Sequence, residues 1–294
     1  MSASDPVPGD LAEIGRVRRS RKGVSCEPSM KSQGQKGTEF RALHAGDPFV
    51  IPNPWDAGFA RVFAALGFRA LASTSSGFAF TLGRLDGQAT LDEVVAHARA
   101  LDRATDLPVS IDLENGYGAA PESAASAIAR VAEAGAVGAS IEDYDPGGHI
   151  YELAHAAERI AAAAEAARKL GFPFTLTARA ENLIRGNPDL DDTIARLQAY
   201  ERAGADVLFA PGLRSAEDIR TVCEAVSKPV NVLALPDFTR AEAVDAGAQR
   251  ISVGGRLGLV GVDAVVKAAL AIRDEGDFSR QAVKLPLHEW LIGP

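Results

Sequence analysis

The chain has 294 residues, 47% of them hydrophobic, and a formal net charge of −8. That is enough apolar material for a full-sized core, and α/β barrels use roughly 200–250 residues as one domain. The acidic balance, with no basic stripe interleaved with aromatics, speaks against a nucleic-acid partner and against anionic membrane surfaces. Cys26 and Cys223 are the only cysteines and show no metal-ligand or disulfide-framework spacing. No apolar run approaches the roughly 18 residues of a membrane span. A cytoplasmic protein acting on a small molecule is expected.

Residues 1–38 are rich in Ser, Gly, Pro and Lys and carry a basic knot at Arg16-Val-Arg-Arg-Ser-Arg-Lys22. Such a segment cannot bury enough surface to order itself, so a disordered tail is expected there. From residue 39 to 280 short apolar runs alternate with Ala-rich stretches of helical period. The runs at Phe49–Pro52, Ala70–Thr74, Val109–Asp112, Gly138–Ile141, Phe174–Arg179, Val207–Phe209, Val230–Leu233 and Arg250–Val253 predict eight strands buried on both faces. Between them, Thr90-Leu-Asp-Glu93 has capping-box spacing and opens a helix to Thr105. Pro121 opens another that ends at Gly135, and helices follow over about 152–170, 190–203, 215–226, 239–246 and 261–275. Recurrent Ala-Gly-Ala turns at 134–136, 203–205 and 246–248 mark repeated units.

Eight β-α units predict an α/β fold in which parallel strands close into a (β/α)8 TIM barrel. The structural runner-up, an open doubly wound sheet, normally carries a glycine-rich phosphate loop after its first strand. This chain has Asn53-Pro-Trp-Asp56 there. Residues 281–294 form a C-terminal extension whose apolar Leu285–Ile292 could pack on its own barrel or on a neighbouring copy.

In such a barrel, function sits at the C-terminal strand ends. These ends carry Ser75, Ser76 and Gly77, then Asp112 and Glu114, then Glu142 and Asp143, then Arg179 and Glu181, and Asn231. Side chains i and i+2 share a face of a strand, so Asp112 and Glu114 stand together. Two such charges about 4 Å apart repel by roughly 4 kcal/mol at an effective dielectric of 20. A proton or a cation must relieve that repulsion. Oxygen donors without His or Cys favour Mg2+, or Mn2+, over zinc. Asp56 reads equally well as a helix N-cap.

Taken in order, Ser76-Gly77, Leu82-Gly83 with Asp86, Asp112-Leu-Glu-Asn-Gly-Tyr-Gly118, Ile141-Glu-Asp143 and Ala178-Arg-Ala-Glu181 resemble the isocitrate lyase/phosphoenolpyruvate mutase superfamily over about residues 40–280. The resemblance implies a Mg2+-binding barrel acting beside the carboxylate of an α-keto or enol acid. By motif, Asp112, Glu114 and Glu142 correspond to the acids that hold the metal. Ser75, Ser76, Gly77, Asp112, Arg179 and Asn231 would surround the substrate, with Arg179 clamping its oxyanion end and Asp86 on the segment after the second strand. Members commonly assemble as dimers of dimers, so a homo-oligomer, dimer or tetramer, is expected.

One segment departs from the pattern. After the fourth strand the lyases carry a cysteine-containing gate and the mutases a lysine-containing one. Here the gate reads Tyr144-Asp-Pro-Gly-Gly-His149-Ile-Tyr151, leaving Tyr144 and His149 as its candidate proton carriers. The expected activity is cleavage of a C–C bond, by decarboxylation or retro-aldol chemistry, in a small α-keto or 2-hydroxy dicarboxylic acid through a metal-stabilised enolate. The alternatives are a mutase or hydrolase of a phosphonate P–C bond, and a non-catalytic barrel that binds a keto acid or metal.

Overall fold

A computed structural model describes residues 30–292, and the larger part of the expected tail, residues 1–29, lies outside the described residues. The expected tail boundary at 38 is too late. Helix α1 (Gln33–Ala45) already starts at Gln33, because Ser32 and Gln35 form a reciprocal capping box and Phe40 is wholly buried.

Eight strands run parallel: β1 (Phe49–Ile51), β2 (Leu71–Ala72), β3 (Val109–Asp112), β4 (Gly138–Glu142), β7 (Thr175–Arg179), β8 (Val207–Phe209), β9 (Val230–Leu233) and β10 (Arg250–Ser252). Their order around the sheet is β1-β10-β9-β8-β7-β4-β3-β2. The two ends meet through the Ala72 N–H, which donates to the Pro52 carbonyl at 3.1 Å, and the Asn53 amide, which donates to the Ser73 carbonyl at 3.0 Å. The expected barrel is therefore the observed fold. Strands β5 (Tyr144–Asp145) and β6 (His149–Ile150) form a separate antiparallel hairpin after β4.

The outer faces of the strands pack on an Ala-rich helical ring: α2 (Ala57–Ala65), α4 (Leu91–Ala104), α5 (Pro121–Glu133), α6 (Leu153–Lys169), α7 (Leu190–Ala203), α8 (Ala216–Ala225) and α9 (Arg240–Asp245), while α10 (Arg256–Glu275) follows β10 with only Ala271 buried. Asp56 is the N-cap of α2, accepting from the Phe59 N–H at 2.8 Å. After β2, Ser75, Ser76 and Gly77 open a short helix, α3 (Ser75–Thr81), capped by Thr74. Helix α10 begins at Arg256, five residues before the expected start. The last helix, α11 (Leu287–Ile292), packs on α2, where the Arg61 guanidinium donates to the Leu291 carbonyl.

Candidate active site

The register of the barrel brings the expected residues together. Asp112 pairs with Ser140, Glu142 with Arg179, and Arg179 with Phe209, so these side chains meet at the C-terminal mouth. Asp112, Ser140, Arg179 and Phe209 line a cavity of about 190 Å3, together with Ser75, Ser76 and Asp86, and Glu142 reaches it through Arg179.

Arg179 is the hub. Its guanidinium lies 3.3 Å from Glu142 and 3.8 Å from Asp112, bonds to Glu181, and stands 5.3 Å from the Phe209 ring. Burial works against its charge, but Glu142, Glu181 and Asp112 outweigh it and hold its pKa above the ordinary arginine value. Glu181 is wholly buried and also accepts from Arg185 at 2.9 Å, so it is committed to two arginines.

The acids differ in state. Asp112 is fixed by the Ser75 N–H at 3.3 Å and the Ser140 hydroxyl at 3.5 Å, while its own N–H donates to the Ser73 hydroxyl at 2.8 Å. Burial, with the charges of Asp112 and Asp86 behind it, pushes Glu114 up to about 7. Glu142 is raised well above the usual carboxylate range, chiefly by burial. Asp86 is raised too, again chiefly by burial. Glu114 and Tyr117 both adopt left-handed backbone, φ +49° and +61°, a strained conformation for residues with a Cβ. The Tyr117 hydroxyl donates to Glu114 at 3.3 Å.

The acids fit a hard divalent cation in their chemistry: all are oxygen donors, and burial raises the pKa of Glu114 and Glu142 despite Arg179 beside them. Among the described residues, however, no three His, Cys, Asp or Glu side chains converge as a ready ligand set. The guanidinium of Arg179 stands between Asp112 and Glu142 instead.

The remaining expected residues divide. Gly77 lies behind the wall, where an added Cβ would come within 2.6 Å of Thr74. Asn231 is buried deeper in the cavity, with its amide donating to Ser252 at 3.0 Å and its carbonyl accepting from Arg250 at 2.8 Å. The gate residues do not reach the cavity. His149 is 65% exposed at its side chain, and Tyr144 lies under Arg185 at 3.8 Å. Asp143 faces away from the cavity, buried against Arg196 and Tyr200, and accepts from the Glu181 N–H.

Two arginines escaped the sequence reading. Arg159, on α6, sends its guanidinium to the carbonyls of Asn115, Gly118, Ala119 and Glu142, tying together the segments that carry Glu114 and Glu142. Arg250 lines the cavity floor. Each is a charge set in an otherwise apolar stripe, Ala156/Ile160/Ala163 for one and the eighth strand for the other, and that anomaly was the available signal.

A closed parallel barrel with an acid cluster set against one arginine at its C-terminal mouth defines the class of protein. Residues 40–273 match the sequence profile of the phosphoenolpyruvate phosphomutase family, and the chain belongs to the isocitrate lyase/phosphoenolpyruvate mutase superfamily. It is similar to 2-methylisocitrate lyase of Halalkalibacterium halodurans, 31% identical over 84% of this chain and 85% of that one. Among solved structures it resembles a Burkholderia cenocepacia protein provisionally described as a lyase/mutase, 48% identical over 89% of this chain and 97% of that one, TM-score 0.86. It also resembles an oxaloacetate acetylhydrolase in complex with its product oxalate, 25% identical over 88% and 94% of the two chains, TM-score 0.79.

Proposed function

We propose that the protein is a Mg2+-dependent lyase that cleaves a C–C bond in a small α-keto or 2-hydroxy dicarboxylic acid. The observation that carries this reading is the cluster of Asp112, Glu114 and Glu142 set against Arg179 at the cavity mouth. Asp112, Glu114 and Glu142 are the donors that would hold Mg2+, or Mn2+ in its place. Such an ion supplies a Lewis acid for a keto oxygen. Arg179 suits a substrate carboxylate, because its planar fork binds both oxygens. Ser75 and Ser76 bound the same cavity and orient that end of the substrate. Asp86, a cavity-lining carboxyl whose pKa burial raises, is the group placed to exchange a proton with the substrate. His149 and Tyr144 take part only if the hairpin moves inward.

Release of pyruvate from oxaloacetate-like substrates tests the proposal. EDTA should abolish turnover and added Mg2+ restore it. Asp112→Ala should lower kcat/KM by roughly 100-fold or more, the scale of losing a charge-stabilising group. Turnover indifferent to both changes would end the metal reading.

The family match itself supports a second reading, mutase or hydrolase chemistry on a phosphonate P–C bond. Phosphorus NMR on phosphonopyruvate separates the two: a shifted or inorganic phosphorus signal with no activity on oxaloacetate would favour the P–C reaction.

A further inference from the structure

Most buried cations of this barrel are paired with acids, and two are not. Lys36 meets Asp102 at 2.8 Å, Arg196 meets Asp143 at 3.1 Å, Arg179 has three acids, and Arg159 spends its guanidinium on main-chain carbonyls. Arg250, on β10, is only 5% exposed, and among the described residues no carboxylate lies within 4.0 Å of it. Its Nε donates to Asn231 at 2.8 Å, one terminal nitrogen to Thr177 at 3.1 Å, and the other to His44 Nε2 at 3.2 Å. His44 can only accept there, since its Nδ1 lies 2.8 Å from the Phe40 carbonyl and must carry the ring proton. Three of five guanidinium N–H groups are thus used, all on neutral partners, and two are left.

Burial draws the Arg250 pKa down to about 9, which still leaves it charged at pH 7. An isolated buried charge is costly unless something pairs with it. The residue is not sealed in packing: it lines the lower part of the 190 Å3 cavity, beside Ser110, Ser140 and Ser252. Barrel interiors are ordinarily filled by branched apolar side chains. This one instead turns hydroxyls and an unmatched cation toward open space large enough for several water-sized groups. The other charges on that cavity, Asp86, Asp112 and Arg179, belong to the mouth.

We infer that the cavity floor is a binding site for one compact monovalent anion, a halide or a carboxylate group, held by the Arg250 guanidinium and the neighbouring serine hydroxyls. One guanidinium balances one negative charge, and the small volume excludes bulky anions. The site stands on Arg250 and needs no metal. Only the case in which its occupant is the far carboxylate of the substrate rests on the lyase reading.

The test uses the full chain. Crystals soaked in sodium bromide should show an anomalous peak within hydrogen-bonding distance of the Arg250 guanidinium. In parallel, melting temperature is followed against bromide and formate at constant ionic strength, with gluconate as the bulky counter-anion. The wild type should gain stability saturably with bromide and formate, as mass action requires of a ligand bound only by the folded state. Arg250→Met should show no such gain, whereas Asp112→Asn should keep it, so that failure of the metal reading leaves this outcome intact. If formate also competes with an oxaloacetate-like substrate, the natural occupant is that substrate's carboxylate. If kinetics are unaffected while the stability gain persists, it is an inorganic anion. No bromide peak at Arg250, or an equal gain in Arg250→Met, would overturn the site. Should Arg250→Met fail to fold, the bromide map of the wild type decides alone.

Discussion

Arg179 is surrounded by more negative charge than it can neutralise, and that imbalance sets what its substitutions should do. Arg179→Met would leave Glu142 and wholly buried Glu181 short of a counter-charge. Removing one partner of a buried pair costs about 3–5 kcal/mol, so urea unfolding should show a loss of that order. Arg179→Lys should lose much less stability but keep little activity, because an ammonium cannot present the two-pronged face of the guanidinium. A stability measurement and a kcat/KM measurement on the same pair of variants separate the two roles. At this scale the sequence was legible wherever a side chain ends a strand. Asp112, Arg179 and Asp86 meet around one cavity mouth, with Glu142 against Arg179, because strand ends in a parallel barrel must converge. Arg159 and Arg250 were not legible, since their work depends on main-chain carbonyls and on an inward register that no motif marks.

Among the elements, the helices carry two histidines whose titration is displaced by burial. Burial, aided by the Arg250 charge, lowers His44 on α1 to about 3, and burial lowers His97 on α4 to about 4. His97 also leaves Nε2 without a partner while its ring stacks on Phe78 at 4.1 Å. Between pH 6.5 and these values the unfolded chain binds protons that the folded chain refuses, so stability must fall as pH falls. Each histidine contributes about 1.4 kcal/mol per pH unit in that window and nothing above it. His97→Phe should therefore flatten the decline between pH 6.5 and 4, as urea midpoints at several pH values would reveal. The β5–β6 hairpin is held by Tyr151, whose hydroxyl donates to Asp145 at 2.6 Å and accepts from the Asn115 amide at 3.0 Å. Tyr151→Phe should weaken it by about 1 kcal/mol and speed proteolytic nicking between residues 144 and 151. Strands were the most readable elements because apolar runs bounded by turn residues have few other solutions. The hairpin, with strands of two residues, and α3, whose Ser-rich start reads like a turn, gave no periodicity to detect.

For the whole molecule, eight repeated apolar runs left closure into a barrel as the economical solution, and the circuit is complete through Ala72 and Pro52. What repetition could not convey is the uneven finish of the outer ring. Helix α10 leaves Leu259, Val260, Val265 and Val266 exposed, next to a largely apolar hollow that includes Trp55, Phe59 and Phe80. A patch of this kind is expected to meet a second copy of the chain. Light scattering at micromolar concentration should give a mass above one chain, and Val265→Lys with Val266→Lys should return it to one. A wild type that stays at the mass of one chain would remove that expectation.

Arg159 has a consequence for how such a protein can diversify. Each of its hydrogen bonds ends on a carbonyl of the backbone, at Asn115, Gly118, Ala119 and Glu142. The path of the segment after β3 and of the end of β4 is therefore held without reference to most of the side chains they display. Selection can exchange those side chains, and with them the preferred substrate, while the acids stay in register. The arginine works as a fixture that separates the inheritance of a reaction centre from the drift of its specificity.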